Sequence, residues 1–544
     1  METFENIVGT VNDLVWSTPS FFPFMVAVLL GFGIFITLKL GFVQIRQFGH
    51  GIKSVMGKYD QADAVGDVNH FQALTTALSA TVGIGNIAGV AIAIHYGGPG
   101  ALFWMWVTAF FGMAVKYTEC TLAVKYRVQN DDGSVSGGPM YYIEKGLGEN
   151  WKWLAVFFAA MAVICSFLTG NAVQANTVAD TLNSTFAVPG WITGLATASV
   201  VGVVIIGGIK RIGKVTATLM PIMALIYVLG ALIILFLNYD KVLPAFGTIL
   251  EYAFTPKAGA FGVGSGLFLT TLVWGIKRGL FSNEAGQGSA PIAHGAAKTK
   301  EPVREGVVAL LEPFIDTLVV CTMTGLVIVS TGVWDMKHEV PFTTKAQGAT
   351  IEIDAGSILT FAAGDATNGT VERNDHEMGT FYYDEAQTRP FDGTIEVLEN
   401  GTVDIQSATG SQIETIYSSH IENGAPLTAL AFEKGLGPIF PGGKYIVTLC
   451  VILFGVSTAI SWSYYGDRSI QYLAGDKSII YYKMVYLVMH FIGAVLALET
   501  VWAIGDIALG LMTFPNIIAL FALSGVVATA SKTYFAKMKE YESK

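Results

Sequence analysis

Charged residues are scarce in this sequence. Asp, Glu, Lys and Arg together make up 14% of the 544 residues, while hydrophobic residues make up 52%. Soluble globular proteins usually carry about 25% charged residues, so the composition argues against a soluble protein. We therefore expect a chain that resides in the lipid bilayer and has no nucleic-acid partner.

Cysteine is also rare, and common catalytic motifs are missing. The four cysteines lie in apolar runs without metal-ligand spacing, which favours packing roles for them. Neither HExxH nor GxSxG occurs, so we expect no enzyme. The alternating strands of a membrane barrel are absent outside one insertion, which leaves helices as the spanning elements.

Apolar runs of membrane-spanning length repeat along the chain. A helix needs roughly 20 apolar residues to cross a bilayer core of about 30 Å, and the sequence predicts eleven such helices. Lys and Arg concentrate in alternate short loops, so the positive-inside rule predicts a multi-pass protein of the cell (inner) membrane with its N-terminus outside and its C-terminus in the cytoplasm. The predicted spans are 19–42, 71–94, 100–124, 153–180, 188–207, 214–237, 258–294, 304–333, 440–465, 480–499 and 504–530.

Residues 335–437 form a segment of different composition. This segment carries 17 acidic and 5 basic side chains, a net charge of −12, and stretches of it alternate polar and apolar residues as β-strands do. We predict a first transmembrane region at residues 1–334, a β-rich extracytoplasmic insertion at residues 335–437, and a second transmembrane region at residues 438–544. The insertion is either an acidic, solubilising loop or a domain that receives a ligand or partner.

Two predicted spans carry helix-breaking residues near their centres. TALSATVGIGNIAGVAIA in the second span places Gly83, Gly85 and Gly89 around Asn86, and VWGIKRGLFSNEAGQGSAP in the seventh places further glycines around Glu284. Unwound backbone at membrane depth must line a cavity inside the protein. If the first span is set aside, the other ten form two sets of five, and each of these two spans is the first of its set. Inverted-repeat transporters with a binding site at the membrane midplane have this arrangement. The alternative is that the glycines only allow close helix packing.

Polar residues recur at helical spacing on three spans. They are Thr75, Ser79, Val82 and Asn86 on the second, Phe167, Asn171 and Gln174 on the fourth, and Phe454, Ser457, Thr458, Ser461 and Trp462 on the ninth. The Ser457 and Thr458 hydroxyls suit a hard cation such as Na⁺. For any single Ser or Thr, a hydrogen bond to its own helix carbonyl is the competing interpretation.

Charged side chains inside the predicted spans need partners or mark ion paths. The candidate pairs are Lys116 with Glu119, and Glu312 or Asp316 with Lys277 or Arg278. A structural pair and an ion or proton path are equally compatible with this pattern. His95 and His294 lie at span ends, and we assign no role to them.

Four stretches resemble the alanine/glycine:cation symporter family. They are TALSATVGIGNIAGVAIAIHYGGPGALFWMWVTAFFGMAVKYTECTLAVKYR, GGPMYYIEKGLG, RGLFSNEAGQGSAPIAHGAAKT and SWSYYGDR, and the resemblance covers nearly all of the chain except 335–437. It implies the leucine-transporter type of fold: an all-α, five-plus-five inverted repeat with one extra N-terminal helix and discontinuous core helices 1 and 6. It also implies uptake of alanine, glycine or a similar small neutral amino acid, coupled to Na⁺ or alternatively H⁺, without an organic cofactor.

The same resemblance implies a set of site residues. The implied substrate-binding residues are Gly83, Gly85, Asn86, Gln174, Phe281, Thr458 and Trp462. The implied Na⁺ ligands are carbonyls near Ser79 and Val82 together with the hydroxyls of Ser457 and Thr458. Secondary candidates are Asn171, Trp274, Glu284 and Ser461. The alternative function is an amino-acid sensor of the same fold, with 335–437 as its ligand or partner site.

Overall fold

Helices make up most of the chain. The computed structural model describes residues 2–19, 23–61, 63–131, 133–255, 267–343, 349–352, 358–367, 369–373, 376–384, 387–398, 403–495 and 498–542. The α-helices are α1 Glu2–Trp16, α2 Phe24–Lys39, α3 Val43–Arg46, α4 Phe48–Val55, α5 His70–Thr81, α6 Val90–Gly97, α7 Ala101–Lys125, α8 Pro139–Tyr142, α9 Lys152–Phe167, α10 Val173–Phe186, α11 Gly190–Ile205, α12 Gly208–Leu237, α13 Tyr239–Phe254, α14 Leu267–Asn283, α15 Ala290–His294, α16 Pro302–Ala309, α17 Leu311–Pro313, α18 Thr322–Thr331, α19 Gly424–Leu436, α20 Gly443–Ala474, α21 Ser478–Val495 and α22 Leu498–Glu542. Tighter or wider turns join some of them: π-helical turns at Gly85–Gly89, Ile143–Leu147, Leu168–Ala172 and Phe314–Cys321, and a 3₁₀ turn at Glu149–Trp151.

Several of these helices have the length and composition of membrane spans. Within the described residues, six qualify, and the bent pair formed by α5 and Gly85–Gly97 makes a seventh. The six are Glu149–Phe186, Gly208–Leu237, Pro302–Thr331, Gly443–Ala474, Ser478–Val495 and Ile504–Glu540. The predicted spans 19–42 and 188–207 correspond to the shorter apolar helices α2 and α11. The chain is thus a polytopic helical protein, while the total of eleven spans stays a prediction.

Exposed apolar side chains and buried charges distinguish this helical unit from a soluble protein. Large apolar side chains on the outer helices are exposed, including Leu225 and Phe236 on α12, and Phe236 is 79% exposed. Charged side chains such as Lys116, Glu119 and Glu312 are fully buried instead. Lipid is as apolar as leucine, so exposed leucines cost nothing there, whereas a charge must be enclosed by polar partners.

The first broken helix begins with a well-formed cap and stops where glycines begin. Asn69 and Gln72 form a reciprocal capping box at the start of α5, which satisfies two otherwise unpaired N–H groups. The helix ends at Thr81, the Asn86 side-chain oxygen accepts the Gly83 N–H at 2.8 Å, and a π-turn then begins at Gly85. The two halves are bent by 54°.

The second broken helix contains a longer unwound segment, residues 284–289, between α14 and α15. Glu284, Gly286 and Gly288 all have positive φ values, of 54°, 88° and 87°. Glycine adopts this conformation readily, but a glutamate rarely does, and such strain clusters at functional sites. The predicted start of this span at 258 lies outside the described residues.

A separate compact unit, Gly332–Leu427, contains the predicted β-structure. Its strands are β3 Lys337–Thr343, β4 Ala349–Glu352, β5 Ile358–Ala362, β6 Asp365–Ala366, β7 Thr370–Arg373, β8 His376–Glu377, β9 Gly393–Val397, β10 Val403–Ser407 and β11 Thr415–Ile421; a short hairpin elsewhere, Val128–Gln129 with Val135–Ser136, supplies β1 and β2. The strands of the unit pair antiparallel in the orders β10-β9-β5-β6, β11-β3 and β4-β7-β8. Apolar residues such as Phe361, Phe391 and Ile405 form its own hydrophobic core.

Among the described residues, six α-helices lie outside the predicted spans: α1, α3, α4, α8, α13 and α19. Helix α19 lies inside the predicted insertion 335–437 and ends one residue before its boundary. Its Thr428 hydroxyl donates to the Ile87 carbonyl at 2.9 Å, and its Phe432 ring stacks on Tyr227. These contacts assign the chain from Thr428 onward to the helical unit.

Candidate functional site

The two broken helices meet at a small buried cavity of about 20 Å³. The lining residues come from both breaks, from α9–α10, from α20 and from α22: Ala80, Thr81, Gly83, Ile84, Gly85, Thr169, Gln174, Phe281, Glu284, Gln287, Thr458, Trp462 and Leu509. Because glycine has no side chain, Gly83 and Gly85 line this cavity with backbone atoms. Helix ends leave backbone N–H groups without intrahelical partners, so the start of the π-turn at Gly85 suits an anionic group.

Polar side chains on the opposite walls contribute hydrogen-bond acceptors. The Oε1 atoms of Gln174 and Gln287 are buried, and neither has a hydrogen-bond partner among the described residues. Their amide nitrogens are already engaged, with the carbonyls of Thr169 at 3.1 Å and Leu280 at 2.9 Å. A buried unpaired acceptor costs about 1–3 kcal/mol, so these oxygens are suited to a ligand that brings its own N–H donors.

Glu284 contributes a carboxylate to the same cavity. One oxygen accepts the Trp462 Nε1–H at 3.2 Å, and the other accepts the Ser289 hydroxyl. Trp462 and Phe281 add apolar walls. A hypothetical Cβ on Gly170 would lie 2.2 Å from Trp462, so the indole has no room to withdraw in that direction. The cavity therefore combines acceptor groups with tight apolar limits.

The predicted cation ligands come together beside this cavity. The hydroxyls of Ser457 and Thr458 lie 3.3 Å and 3.2 Å from the Ser79 carbonyl, and Thr458 also lies 3.4 Å from the Ala80 carbonyl. Val82 is fully buried just after the end of α5. The Ser457 hydroxyl is also 3.1 Å from the carbonyl of Phe454 on its own helix. For Ser457, the competing interpretation of a hydrogen bond within its own helix therefore has support too.

Four of the predicted substrate-binding and secondary residues do not line the cavity: Asn86, Asn171, Trp274 and Ser461. The Asn86 amide donates to Asp316 at 2.6 Å and to Ser282 at 3.2 Å, so this side chain ties the first break to neighbouring helices. Asn171 binds the Tyr486 carbonyl and His490. Trp274 stacks on Tyr96, and Ser461 is buried elsewhere on α20.

Gln287 and Thr169 line the cavity, but sequence reasoning missed both. Gln287 lies inside the quoted NEAGQGSAP stretch, so a polar side chain within the unwound segment was the available signal. Thr169 lies in the π-turn of the fourth predicted span, which no spacing pattern indicated.

The expected ion pairs within the spans are wrong in their partners. Lys116 pairs with Glu312 at 3.1 Å. Glu119 accepts the N–H groups of Gly286 and Gly288 and the Asn516 amide at 3.3, 3.0 and 2.6 Å. Asp316 bonds Asn86, Ser282 and Thr317. Lys277 and Arg278 lie over aromatic rings, both of them over that of Trp274.

Comparison with known proteins identifies the family. The model of the sodium:alanine symporter family matches residues 1–363 and 393–544. The chain belongs to the sodium:alanine symporter family. It is 41% identical over 543 residues to the sodium/alanine symporter AgcS of Methanococcus maripaludis, and this match covers 99% of both chains.

Two further relatives of this family member extend the comparison. An uncharacterized transporter of Haemophilus influenzae is 37% identical over 538 residues, covering 99% of this chain and 97% of the relative. The probable sodium/glutamine symporter GlnT of Bacillus subtilis is 31% identical over 536 residues, covering 98% and 91%. The family and its members are transporters, so this protein is a cation-coupled amino-acid transporter and not an enzyme.

Proposed function

We propose that this protein couples Na⁺ entry to the uptake of a small neutral amino acid, alanine or glycine, by alternating access. The observation that carries the proposal is the cavity between the two broken helices, with glycine backbone on one wall and two unpaired glutamine oxygens on the others. An amino acid carries one anionic and one cationic group, and this arrangement complements both.

The backbone at the start of the π-turn, at Gly85, holds the substrate carboxylate in this proposal, next to Gly83, whose N–H is already bound by Asn86. Helix N-termini favour anions through their free N–H groups and the helix dipole. Asn86 acts one step away, because its oxygen fixes the Gly83 N–H at 2.8 Å and its amide anchors to Asp316. Asn86 is therefore a positioning residue and not a direct ligand.

The substrate ammonium group is bound by Gln174, Gln287 and Glu284. Hydrogen bonds to charged groups contribute about 1.5–3 kcal/mol each, and the two glutamine oxygens have no competing partner in the described chain. Phe281, Thr458 and Trp462 bound the substrate side chain. The cavity of about 20 Å³ has room for about one water molecule, so the site must widen before an amino acid can enter.

Gln287 offers a direct test of ammonium binding. We expect Gln287→Leu to raise the half-saturation concentration for alanine by about 10- to 100-fold, because one charge-assisted hydrogen bond is lost. Gln44→Leu is the matched control, since Gln44 is also buried, also has an unpaired Oε1 and lies away from the cavity. Saturation binding of labelled alanine at high Na⁺ measures both. Equal affinities in the two variants would remove Gln287 from the site.

Thr458 links the two ligands. Its hydroxyl lies 3.2 Å from the Ser79 carbonyl at the proposed Na⁺ site, and the same residue lines the substrate cavity. A cation that orders Thr458 and the end of α5 also orders the substrate wall, so each ligand should tighten the binding of the other. Rocking of one helix group against the other then releases both on the cytoplasmic side.

The alternative is a sensor in which the unit Gly332–Leu427 receives a ligand or partner, since that unit has its own hydrophobic core. Deletion of this unit distinguishes the two functions. We expect a deletion variant with a short Gly/Ser linker to retain at least about half of the alanine uptake, because the cavity and its supports all belong to the helical unit. Loss of uptake from a correctly folded deletion variant would favour the sensor.

A further inference from the structure

A chain of titratable side chains runs from the protein surface into the helical interior. It begins at Asp60, whose carboxylate lies 3.8 Å from His70 Nε2. His70 Nδ1 contacts Glu305, which lies 2.5 Å from His294 Nδ1. His294 Nε2 lies 2.6 Å from Glu312, and Glu312 lies 3.1 Å from Lys116.

This chain is buried except at its outer end. The Asp60 side chain is 51% exposed, while His70 is 2% exposed and Glu305, His294, Glu312 and Lys116 are completely buried. Five separate segments of sequence contribute to it. We call these six side chains the buried network.

The two contacts of His294 require a proton in the buried network if both are hydrogen bonds. A neutral imidazole has one N–H donor and one acceptor nitrogen, yet both nitrogens of His294 face carboxylates at hydrogen-bond distance. Both contacts are favourable only if His294 is doubly protonated or if one carboxyl group carries the proton. Lys116, Glu305 and Glu312 sum to a charge of −1 with neutral histidines, so one bound proton makes the buried group neutral.

Other ionisable groups near the buried network are engaged with other partners or uncharged in their ordinary state. Arg304 donates to the Tyr59 carbonyl at 2.5 Å, and Arg127 donates to backbone carbonyls including Ala297 at 2.6 Å. The other ionisable neighbours come from segments packed around the buried network. They are Glu119, Cys120, Glu284 and Tyr465, together with Asp67 near Arg127.

The buried network also contacts the second broken helix. His294 is the last residue of α15, the half-helix that comes after the unwound segment. Glu119, one turn from Lys116 on α7, holds the Gly286 and Gly288 N–H groups of that segment. A change in the charge around Lys116 therefore occurs close to Glu119, the side chain that holds the unwound backbone in place.

We propose that Glu305, His294 and Glu312 form a binding site for one exchangeable proton, which reaches solvent through His70 and Asp60 and must be occupied for rapid transport. This inference rests on the proposed function for its transport readout. The loss of the proton leaves two carboxylates on one neutral imidazole inside the protein, and an unbalanced buried charge is strongly destabilising. The compact, loaded arrangement of α14 and α15 is then disfavoured.

The test is Na⁺-driven uptake of labelled alanine into right-side-out membrane vesicles, with the pH of one compartment varied at a time. Raising the pH on the Asp60 side from about pH 6 to about pH 9, a range that histidine sites sense, should lower uptake by about tenfold or more. The same change on the opposite side should have little effect. A flat profile, or an equal response from both sides, would overturn the proposal.

His294→Gln provides the specific variant, because glutamine cannot take up a proton. Its uptake should be independent of pH over the same range. His490→Gln is the matched control: His490 is equally buried, but its two ring nitrogens bond Asn171 and Thr197 instead of carboxylates. It should keep the wild-type profile. A pH-dependent His294→Gln protein would contradict the assignment.

Asp60→Asn tests the route without disturbing the buried groups, because Asp60 is half exposed. We expect this variant to fold normally and to respond more slowly to a rapid pH jump. An unchanged response time would exclude Asp60 from the route. The variant also keeps the proposal testable if His294→Gln fails to fold.

Thermal unfolding separates this inference from the proposed function. If wild-type protein showed no Na⁺-driven uptake at any pH, the symport proposal would fail, but the proton site could still be measured. A proton bound in the folded state and released on unfolding makes stability fall as pH rises. The unfolding midpoint of wild type and of His490→Gln should therefore fall more steeply with pH than that of His294→Gln. Parallel curves would reject the site.

Discussion

Gly83→Ala is expected to reduce alanine uptake by about 10- to 100-fold, the consequence of about 1–3 kcal/mol of overpacking. A Cβ at this position would lie 2.6 Å from the Thr458 hydroxyl, closer than two such atoms can approach. Either the unwound backbone or Thr458 must move, and both belong to the proposed binding site. The loss should appear in the affinities for Na⁺ and for alanine together.

Gly89→Ala is the control for this substitution. Gly89 lies in the same broken helix, but a Cβ there would meet no other atom within 4 Å, and alanine is the better helix former. Its uptake should match wild type. A double-mutant cycle adds a sharper criterion: with Thr458→Ala already present, Gly83→Ala should cost much less, because the obstructing hydroxyl is gone. Full additivity would mean that the two residues do not meet.

Thr458→Val is expected to raise the Na⁺ concentration for half-maximal uptake by about tenfold or more. Valine keeps the shape of threonine but removes the hydroxyl that lies 3.2 Å from the Ser79 carbonyl, so one proposed cation ligand is lost while the remaining groups stay in place. Because Thr458 also lines the substrate cavity, the dependence of alanine affinity on Na⁺ should weaken in the same variant.

Thr448→Val controls for the effect of this change on α20. Thr448 is buried on the same helix, and its hydroxyl bonds Lys444 and Thr185 instead of the first broken helix. Uptake should show wild-type Na⁺ dependence in this variant. Sodium titration of alanine uptake measures both proteins. An unchanged half-maximal Na⁺ concentration in Thr458→Val would contradict the assigned cation site.

Both helix breaks are predictable from sequence because glycines and polar residues cluster where lipid would demand regular helix. In the structure Ser79, Ser457 and Thr458 lie together, and the cavity is lined by Gly83, Gly85, Gln174, Phe281 and Trp462. Their roles as ligands stay a prediction. The β-structure of the insertion follows equally from its alternating pattern.

The positions of Asn86 and Asn171 could not be predicted in this way. Spacing places Ser79 and Asn86 on one face only if the helix is continuous, but the chain unwinds after Thr81 and continues as a π-turn. A second π-turn, Leu168–Ala172, lies between Phe167 and Gln174. Each π-turn adds a residue and rotates the helix beyond it, so Asn171 turns toward Tyr486 while Gln174 reaches the cavity.

The buried network was beyond sequence reasoning for a different reason. Its members are contributed by five segments that meet only in the folded protein, and His294 alone gives no signal at a span end. Proximity in the sequence suggests that Lys116 pairs with Glu119. In the fold, Lys116 pairs with Glu312, and Glu119 binds the unwound segment. Long-range charge partners therefore require the structure.

The most direct test of the central claim is the uptake of labelled alanine into proteoliposomes that contain the purified full-length protein, with and without an inward Na⁺ gradient. The proposed symport predicts accumulation against the alanine gradient only when Na⁺ flows inward, and its abolition by a Na⁺ ionophore. Accumulation that is equal without the gradient, or absent under both conditions in correctly folded protein, would contradict Na⁺-coupled alanine transport.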